Sequence, residues 1–465
     1  MRSIKKIISA IAFLLVLLLC ISAAYRVLAW KDTIGENIST IEQLYATDDD
    51  LIDLVFLGTS HIYYGVSPAE IWKERGISSF NLAASGMDKV AAKHFLIELF
   101  KTQSPSVVCV DLFSLFYDEI SIASNEYRNY LPMALSPNSV QAVLEYGGNN
   151  TADLLTRWPI VHSRYEELTS FDFVGYSVNH FGRGQCYDFH VTTVEQDLSV
   201  VFSNEVTPLE EKNKQWLAEL KTLCEEHNCT LITTFMPSHM TSRAPGILNG
   251  AKEYLETLGV EYIEMNQTME EYGLSYETDF LDPTHLNSAG AQKATHYLLD
   301  QLCQRFDFTD HRGDSRYSQW DECVYYDTYQ WQKHELDSLD PNDKNAVLGQ
   351  LAQCPGLTTI VSVSPDFESE DTRWQDLLLA LGATPEQVAA RGQWMFSGNT
   401  VLGYAAAGAP NSVSIDIDKV HTLTLNAKQD TSVYIDGTSC EVEDADFSIV
   451  VYDNYENAIS SVWTY

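Results

Sequence analysis

Three residues of this chain have the types and the spacing of an acyl-transfer site: Ser60, Asp282 and His285. A serine hydroxyl can attack a carbonyl carbon, an imidazole can take the hydroxyl proton, and a carboxylate can orient the imidazole. Asp282 and His285 are so close in the sequence that one loop can place the carboxylate behind the imidazole. Ser60 alone is explained as well by a cap at an ordinary strand-to-turn junction. The Asp–His pair is what favours catalysis.

The elements around these residues predict that they meet. Ser60 follows the apolar run Leu54–Leu57 and Gly58, a pattern typical of a short buried strand that ends in a small-residue turn. Asp282 and His285 lie in the loop before the last helix of an α/β pattern. Because the carboxyl ends of parallel strands share one edge of a sheet, we expect the Ser60 hydroxyl within about 4 Å of a His285 ring nitrogen.

Strand and helix patterns alternate along the first two thirds of the chain. The sequence predicts strands beginning after Asp53, at Ile77 and Ser106, and at Cys229 and Val260. Helices are predicted over 68–75, 89–102, 210–227, 251–258 and 288–305. This alternation indicates an α/β fold, with one parallel sheet and helices on both faces. The pattern lapses over 113–202, and an insertion of that size at the strand ends commonly forms a lid or a substrate groove.

Three short motifs resemble the SGNH/GDSL hydrolase family. Gly58-Thr59-Ser60 stands where that family has Gly-Asp-Ser, and Asp282-Pro283-Thr284-His285-Leu286 matches its terminal Asp-x-x-His motif. Phe80-Asn81-Leu82-Ala83-Ala84-Ser85-Gly86 is similar to the second block of the family. The resemblance extends over 53–304 and implies a flavodoxin-like sheet. Within the family, the chain resembles membrane-anchored members such as the teichoic-acid D-alanylation and alginate O-acetylation proteins.

The resemblance implies a role for each matching residue. Ser60 would be the nucleophile, His285 the general base and Asp282 the residue that orients it. The N–H groups of Ser60 and Gly86 would form the oxyanion hole. No cofactor and no metal is implied.

Two departures from the family pattern leave part of the oxyanion hole open. Thr59 replaces the usual Asp, and Asp111-Leu112-Phe113 stands where the third block, Gly-x-Asn-Asp, is expected. Losing one such donor costs on the order of 3 kcal/mol of transition-state stabilisation. His61, Tyr63 and Arg164 are candidates for the substitute.

A substrate groove is predicted around the same edge. Its candidate residues are His61, Tyr63, Arg157, His162 and Arg164. The two arginines are rare positive charges in an acidic chain and could meet a carboxylate or phosphate of the substrate, although buried ion pairs explain them equally well.

The N-terminus predicts a membrane anchor. Three basic residues among the first six precede the uncharged stretch 7–25, which is long enough to cross a bilayer. The basic flank indicates a cytoplasmic start, so we expect a signal-anchor over 1–30, a connector over 31–50 and an extracytoplasmic remainder. A cleaved signal peptide is the alternative, because Ser22-Ala23-Ala24 offers small residues for cleavage.

The last third of the chain predicts a separate α+β domain. We expect the hydrolase-like domain over 51–306, a charged linker over 307–319 and an accessory domain over 320–465. Residues 356–363, 381–383, 391–396, 447–453 and 460–463 resemble the interleukin-like EMT inducer domain, in a permuted order. That resemblance implies a lectin-like or protein-binding module without catalysis.

Composition excludes one class of partner. The 65 acidic residues outnumber the 29 Lys and Arg, and a net charge of −36 repels phosphate backbones, so nucleic-acid binding is not expected. Nine cysteines show no metal-ligand spacing; buried thiols and one or two disulfides both remain open.

The sequence therefore predicts a membrane-anchored serine esterase or O-acyltransferase that acts on a cell-envelope polysaccharide. The rival hypothesis is a non-catalytic envelope scaffold that binds glycan or a membrane-bound acyltransferase.

Overall fold

The computed structural model describes residues 2–29, 40–116, 126–168, 171–174, 181–409, 412–417, 421–426, 432–435, 438–440, 445–456 and 458–465. The first part of the predicted connector, 31–39, lies outside these ranges. The chain forms two compact units, Met1–Val324 and Tyr325–Tyr465.

A five-stranded parallel sheet forms the centre of the first unit. Its strands are β1 (Leu54–Gly58), β2 (Ser79–Ala83), β3 (Val107–Asp111), β4 (Thr230–Thr234) and β5 (Tyr262–Ile263). Their order is β2-β1-β3-β4-β5, and every neighbouring pair is parallel. All residues of β1, β2 and β3 are buried, as expected for parallel strands that are covered on both faces. The predicted parallel sheet is confirmed.

The first unit contains the helices that cover both faces of this sheet and, at its N-terminus, a long apolar helix. They are α1 (Arg2–Leu28), α2 (Thr40–Ala46), α3 (Ser60–Gly65), α4 (Pro68–Arg75), α5 (Lys89–Leu99), α6 (Glu126–Tyr130), α7 (Pro137–Tyr146), α8 (Thr151–Thr156), α9 (Trp158–Val161), α10 (Phe171–Val174), α11 (Leu198–Val201), α12 (Glu211–Glu226), α13 (Ala244–Leu258) and α14 (Ser288–Cys303). Short 3₁₀ turns span Leu112–Phe116, His162–Glu166, Met269–Tyr272 and Ser315–Tyr317.

Side chains that alternate along β1 build two separate cores. Val55 and Leu57 pack in one cluster with α5, α12 and α13, while Leu54 and Phe56 pack in a second cluster with α3, α4 and α14. Successive side chains of a strand point to opposite faces, so one strand can serve both cores.

Local signals account for most helix ends. α4 begins at Pro68 after the N-cap Ser67, whose hydroxyl accepts from the Glu70 N–H, and it ends at the left-handed Gly76. α13 starts earlier than the predicted 251–258. Its first half contains glycines that lower helix propensity but allow close packing: a Cβ on Gly250 would lie only 1.9 Å from the Thr207 carbonyl oxygen.

The segment 307–319, predicted as a linker, packs on the first unit instead. His311 Nε2 lies 2.7 Å from the Asp53 carboxylate, and Arg312 donates to the Lys73 carbonyl oxygen. These charged side chains bind partners on the surface of the first unit, so the segment is not a solvated linker. The composition of the segment indicates its charge but not these partners.

The second unit contains two antiparallel sheets. Its strands are β6 (Leu357–Val363), β7 (Gly392–Ser397), β8 (Thr400–Ala406), β9 (Val413–Asp416), β10 (Thr422–Asn426), β11 (Ser432–Ile435), β12 (Thr438–Cys440), β13 (Phe447–Asp453) and β14 (Ala458–Thr464). The strand orders are β14-β13-β6-β7-β8 and β12-β11-β10-β9. The helices are α15 (Ser318–Asp337), which contains the boundary between the units, α16 (Lys344–Leu351), α17 (Arg373–Ala380) and α18 (Pro385–Ala390).

Candidate active site

Ser60 is held at the C-terminal end of the central strand. β1 ends at Gly58, Thr59 is the N-cap of α3, and its hydroxyl accepts from the His61 N–H. Gly58 is needed here because a Cβ would lie 2.7 Å from Ile62 and 3.0 Å from Asp111. The hydroxyl of Ser60 therefore stands at the first position of a helix, where backbone N–H groups have no intrahelical acceptor.

Asp282 and His285 lie in a small loop that is closed at its base. Phe280 and Leu286 form an isolated antiparallel bridge, and the Leu281 N–H donates to the His285 carbonyl oxygen at 3.0 Å. The next residue, Asn287, is the N-cap of α14. Both ends of the loop are thus fixed by the fold.

Inside this loop, one carboxylate oxygen organises the backbone and the other holds the imidazole. Asp282 Oδ1 accepts from the Thr284 N–H and hydroxyl and from the His285 N–H, at 2.7, 2.8 and 3.0 Å. Asp282 Oδ2 lies 2.8 Å from His285 Nδ1. Such an Asx turn leaves only the second oxygen for the ring.

The imidazole also reaches the serine. His285 Nε2 lies 2.7 Å from Ser60 Oγ, so the structure brings Ser60, His285 and Asp282 into one hydrogen-bonded series. Partial burial opposes the ionised form of Asp282, but the hydrogen bonds and charge of His285 and the bonds from Thr284 outweigh it and lower the pKa of this carboxyl well below its usual value. An ionised Asp282 favours the Nδ1–H tautomer of His285, which leaves Nε2 as the acceptor for the serine proton.

Gly86 lies in the turn after β2. Its φ of +55° is in the left-handed region that suits glycine. Asn129 of α6 donates to the Gly86 carbonyl oxygen at 3.2 Å, and the Ser114 hydroxyl donates to the Met87 carbonyl oxygen at 3.0 Å. The insertion therefore supports the turn that carries Gly86.

A second carboxylate–imidazole pair lies beneath the first. Asp111 ends β3, is fully buried, and accepts from the Met236 and Phe113 N–H groups. Burial raises the pKa of Asp111 to about 7, although these two hydrogen bonds oppose the shift. Its Oδ2 lies 4.0 Å from His61 Nδ1, which is too far for a hydrogen bond.

His61 faces away from solvent. Its ring lies 3.7 Å from that of Phe113 and 5.6 Å from that of His285, measured between centroids. Neither ring nitrogen has a hydrogen-bond partner within the described part of the chain. Burial, followed by the charge of His285, lowers the pKa of His61 well below its usual value.

The remaining predicted groove residues lie in three different places. Tyr63 is buried and shares a side-chain hydrogen bond with Ser85 beside Gly86; burial is the main cause that raises the pKa of its hydroxyl. Arg157 donates to the backbone carbonyls of residues 131 and 133. His162 Nδ1 lies 2.8 Å from the Pro159 carbonyl oxygen and is exposed.

Arg164, the third proposed oxyanion donor, contacts the end of α1. Its guanidinium donates to the Leu28 and Ala29 carbonyl oxygens at 3.0 and 2.6 Å and pairs with Asp172 at 2.9 Å. The structure thus brings Ser60, Asp282 and His285 into direct contact. Tyr63 is linked to this group through the Tyr64 ring, and to the turn of Gly86 through Ser85.

Sequence reasoning missed Asn129, because the irregular insertion gives no periodicity from which a polar contact could be found. It also gave no role to Tyr64, whose ring lies 5.3 Å from that of His285. Within the described ranges, no group of three or more His, Cys, Asp and Glu side chains is placed to hold a metal ion, and no disulfide joins the cysteines.

Comparisons with known proteins add little to this geometry. No protein-family model matches the chain, and no curated protein matches it. Among solved structures, it is similar to an acetyl xylan esterase from the rumen bacterium Butyrivibrio proteoclasticus, with 13% identity, a TM-score of 0.25 and coverage of 55% of this chain. The chain spans 64% of the length of that esterase chain. A likeness this distant carries no argument about function.

Proposed function

We propose that this protein is a membrane-anchored serine acyl-ester hydrolase or O-acyltransferase of the SGNH type, with Ser60, His285 and Asp282 as its catalytic residues. The observation that carries the proposal is the pair of contacts made by one imidazole. Its Nε2 lies 2.7 Å from Ser60 Oγ and its Nδ1 lies 2.8 Å from Asp282 Oδ2. Both distances are those required of a nucleophile, a base and an orienting carboxylate.

The chemistry would proceed in two displacements. Ser60 Oγ bonds to the ester carbonyl carbon while its proton passes to His285 Nε2 and the carbonyl electron pair moves onto oxygen. When that pair returns, the bond to the leaving group breaks, and His285 protonates the departing alkoxide. A water or a glycan hydroxyl then repeats the sequence on the acyl-enzyme and frees Ser60.

Two backbone donors would stabilise the oxyanion. The N–H of Ser60 is at the first position of α3, where the helix dipole also favours negative charge. The N–H of Gly86 comes from the neighbouring turn after β2. Asp111 stands where the family has an asparagine block, but its side chain is fully buried and both of its oxygens accept backbone N–H groups, so we assign it no part in the oxyanion hole.

The N-terminal helix supports a retained anchor. Lys6–Leu28 is long and apolar enough to cross a membrane, a property that a signal sequence shares. Arg164 binds the last carbonyls of this helix, where a cation is favoured by the helix dipole. Leu18 and Ile21 precede the alternative cleavage site at 22–24 and line a cavity together with side chains of the folded domain, which favours the signal-anchor over cleavage. An anchor of this kind would place the site near envelope polysaccharide, the substrate class that we propose.

One observation favours a second candidate, the non-catalytic scaffold. The third oxyanion donor of the family pattern is missing, and the position holds a buried carboxylate instead. A scaffold would retain the fold while binding glycan or a membrane acyltransferase.

Labelling by a fluorophosphonate separates the two candidates. The full-length chain in detergent should be labelled at Ser60, and Ser60→Ala should abolish labelling. Ser104→Ala is the matched control, because Ser104 is exposed and its hydroxyl donates to the Asp50 carboxylate. An unlabelled wild-type chain with no turnover of acetyl or aminoacyl esters would support the scaffold.

A further inference from the structure

A large cavity lies between α1 and the insertion in the first unit. Its volume is about 1060 Å³, the size of a site for a sizeable ligand. Most of the lining side chains are apolar or aromatic. The insertion contributes Leu131, Pro132, Met133, Leu135, Trp158 and Val161, among others.

One face of α1 forms the opposite wall. Leu18, Ile21, Ser22, Tyr25 and Arg26 line the cavity together with Ala29. Their spacing of three and four residues is that of a single helical face. The wall is therefore a continuous stripe of the helix that we propose as the membrane anchor.

The depth of this stripe determines what can fill the cavity. Leu18 is ten residues before Leu28, the last residue of the candidate span, which corresponds to about 15 Å along a helix. That distance is about half the hydrocarbon thickness of a bilayer. Tyr25 lies near the other end of the stripe, and Tyr45 and Trp158 also line the cavity; such aromatic side chains are enriched at membrane interfaces. A polar glycan would be unfavourable at this depth of the bilayer, whereas the acyl chains of lipids occupy it.

The walls are held in place by specific contacts. Arg157 has a φ of +60°, a strained value for a residue with a side chain, and its guanidinium fixes two backbone carbonyls of the 131–134 wall. The Tyr45 hydroxyl donates to Glu98 and accepts from the Ala134 N–H. Polar contacts therefore hold the mainly apolar wall, and Arg26, Glu42 and Arg157 add charged groups to the lining.

A single short helix connects the cavity to the candidate active site. Tyr127 of α6 lines the cavity, and Asn129, two residues later and on the opposite side of the helix, donates to the Gly86 carbonyl oxygen. Tyr130 of the same helix donates to Asp88, the N-cap of α5. A chain in the cavity would therefore lie one helix away from the proposed oxyanion hole.

We propose that this cavity binds the hydrocarbon chain of a membrane lipid, and that the ester presented to Ser60 is carried on such a lipid. The second part rests on the proposed catalytic function, whereas lipid binding rests only on the proposed membrane anchor. The substrate class then becomes a lipid-borne ester or acceptor rather than a polysaccharide free in water.

Photocrosslinking tests the lipid directly. The full-length chain is reconstituted in phosphatidylglycerol vesicles that contain a phosphatidylglycerol with a diazirine in one acyl chain, and the crosslinked peptides are mapped. Crosslinks are expected within 131–135 and 156–161. Leu135→Asp should reduce them about tenfold or more, since a carboxylate beside a hydrocarbon chain is poorly tolerated. Ala134→Trp, which fills the rim without adding charge, should reduce them as well.

Val206→Asp is the matched control, because Val206 is also exposed and apolar but does not line the cavity. It should leave the crosslinks unchanged, and thermal unfolding shows which variants remain folded. Crosslinks confined to 2–17, or crosslinks of equal yield in both folded cavity variants, would overturn the proposal. Crosslinking needs no turnover, so Ser60→Ala should behave as wild type, and an inactive enzyme with a lipid-filled cavity would refute the proposed function alone.

Discussion

Two carboxylate–histidine pairs lie one above the other at the same edge of the parallel sheet, and they differ in almost every physical property. Asp282 and His285 share a 2.8 Å hydrogen bond at the surface. Asp111 and His61 are completely buried and 4.0 Å apart. The environment lowers the pKa of Asp282 and raises that of Asp111 to about 7.

The difference shows that residue type does not decide the role of a pair. The upper pair keeps its carboxylate ionised because the His285 ring and three donors of Thr284 and His285 surround it, and the second ring nitrogen of His285 faces the Ser60 hydroxyl. The lower pair has lost its water without gaining a mutual hydrogen bond, so both members are driven toward their neutral forms. The same two side-chain types form the base that we propose in one place and a buried, uncharged layer in the other.

The largest expected effect concerns the upper pair. Ser60→Ala and His285→Ala should each lower kcat for ester turnover by roughly 10³-fold or more, because each removes a member of one catalytic unit. The double variant should be barely slower than either single variant. Steady-state kinetics on the full-length chain measure this, with Ser104→Ala as the control. Additive losses in the double variant would contradict a shared mechanism.

A smaller loss is expected from Asp282→Asn. The amide can still accept from the Thr284 and His285 N–H groups, so the loop should keep its shape while the imidazole loses its charged partner. The loss in kcat should be roughly ten- to a hundred-fold milder than that of His285→Ala. Circular dichroism checks the fold. A loss as large as that of His285→Ala would show that the carboxylate does more than orient the ring.

The two carboxylates should respond to pH with opposite signs. The folded-state pKa of Asp282 is lowered, so its contribution to stability is present above pH about 4 and is lost as the pH falls. The folded-state pKa of Asp111 is raised to about 7, so the folded state holds a proton that the unfolded state releases between about pH 4 and 7, and stability decreases as the pH rises through that window.

Asp111→Asn should therefore reduce the fall in the free energy of unfolding between about pH 4 and 7 by a few kcal/mol. The expected reduction is on the order of 1.4 kcal/mol for each unit by which the pKa is raised. Urea unfolding at a series of pH values measures it. Asp282→Asn serves as the comparison and should change the free energy of unfolding only in its dependence on pH below about 4. An unchanged slope in Asp111→Asn would mean that Asp111 is ionised when folded.

The smallest effect is expected from His61→Phe. Its ring nitrogens have no hydrogen-bond partner in the described part of the chain, so an aromatic ring without polar atoms should change the free energy of unfolding by less than about 1–2 kcal/mol. Fluorophosphonate labelling of Ser60 should persist. If labelling is lost while the fold is retained, His61 is needed to position His285. The contrast between the two pairs would then be weaker than their geometry suggests.

Part of this arrangement could be read from the sequence. The run before Gly58 and the close spacing of Asp282 and His285 predicted two loops at one sheet edge, and the strand pattern predicted the sheet. Those signals are local or periodic. The contact of Asn129 with Gly86, the end of α1 held by Arg164, and the pair formed by Asp111 and His61 depend on residues far apart in sequence with no repeat to connect them.

The second unit illustrates the same limit. The strands β6, β10, β11 and β13 follow apolar, β-branched runs and were predictable, whereas the edge strand β14 alternates exposed and half-buried residues and gives a weaker signal. The length of α15 was missed because its aromatic residues favour neither helix nor strand strongly.

The closed base of the loop between Phe280 and Leu286 has a mechanical consequence. Asp282 and His285 are joined to each other and to the start of α14, whereas Ser60 belongs to α3 and follows β1. A displacement of one set against the other would therefore change the gap between His285 Nε2 and Ser60 Oγ while the contact between Asp282 and His285 is retained. Any event that widens this gap would switch the serine off in one step, without first disturbing the tautomer or the orientation of the imidazole.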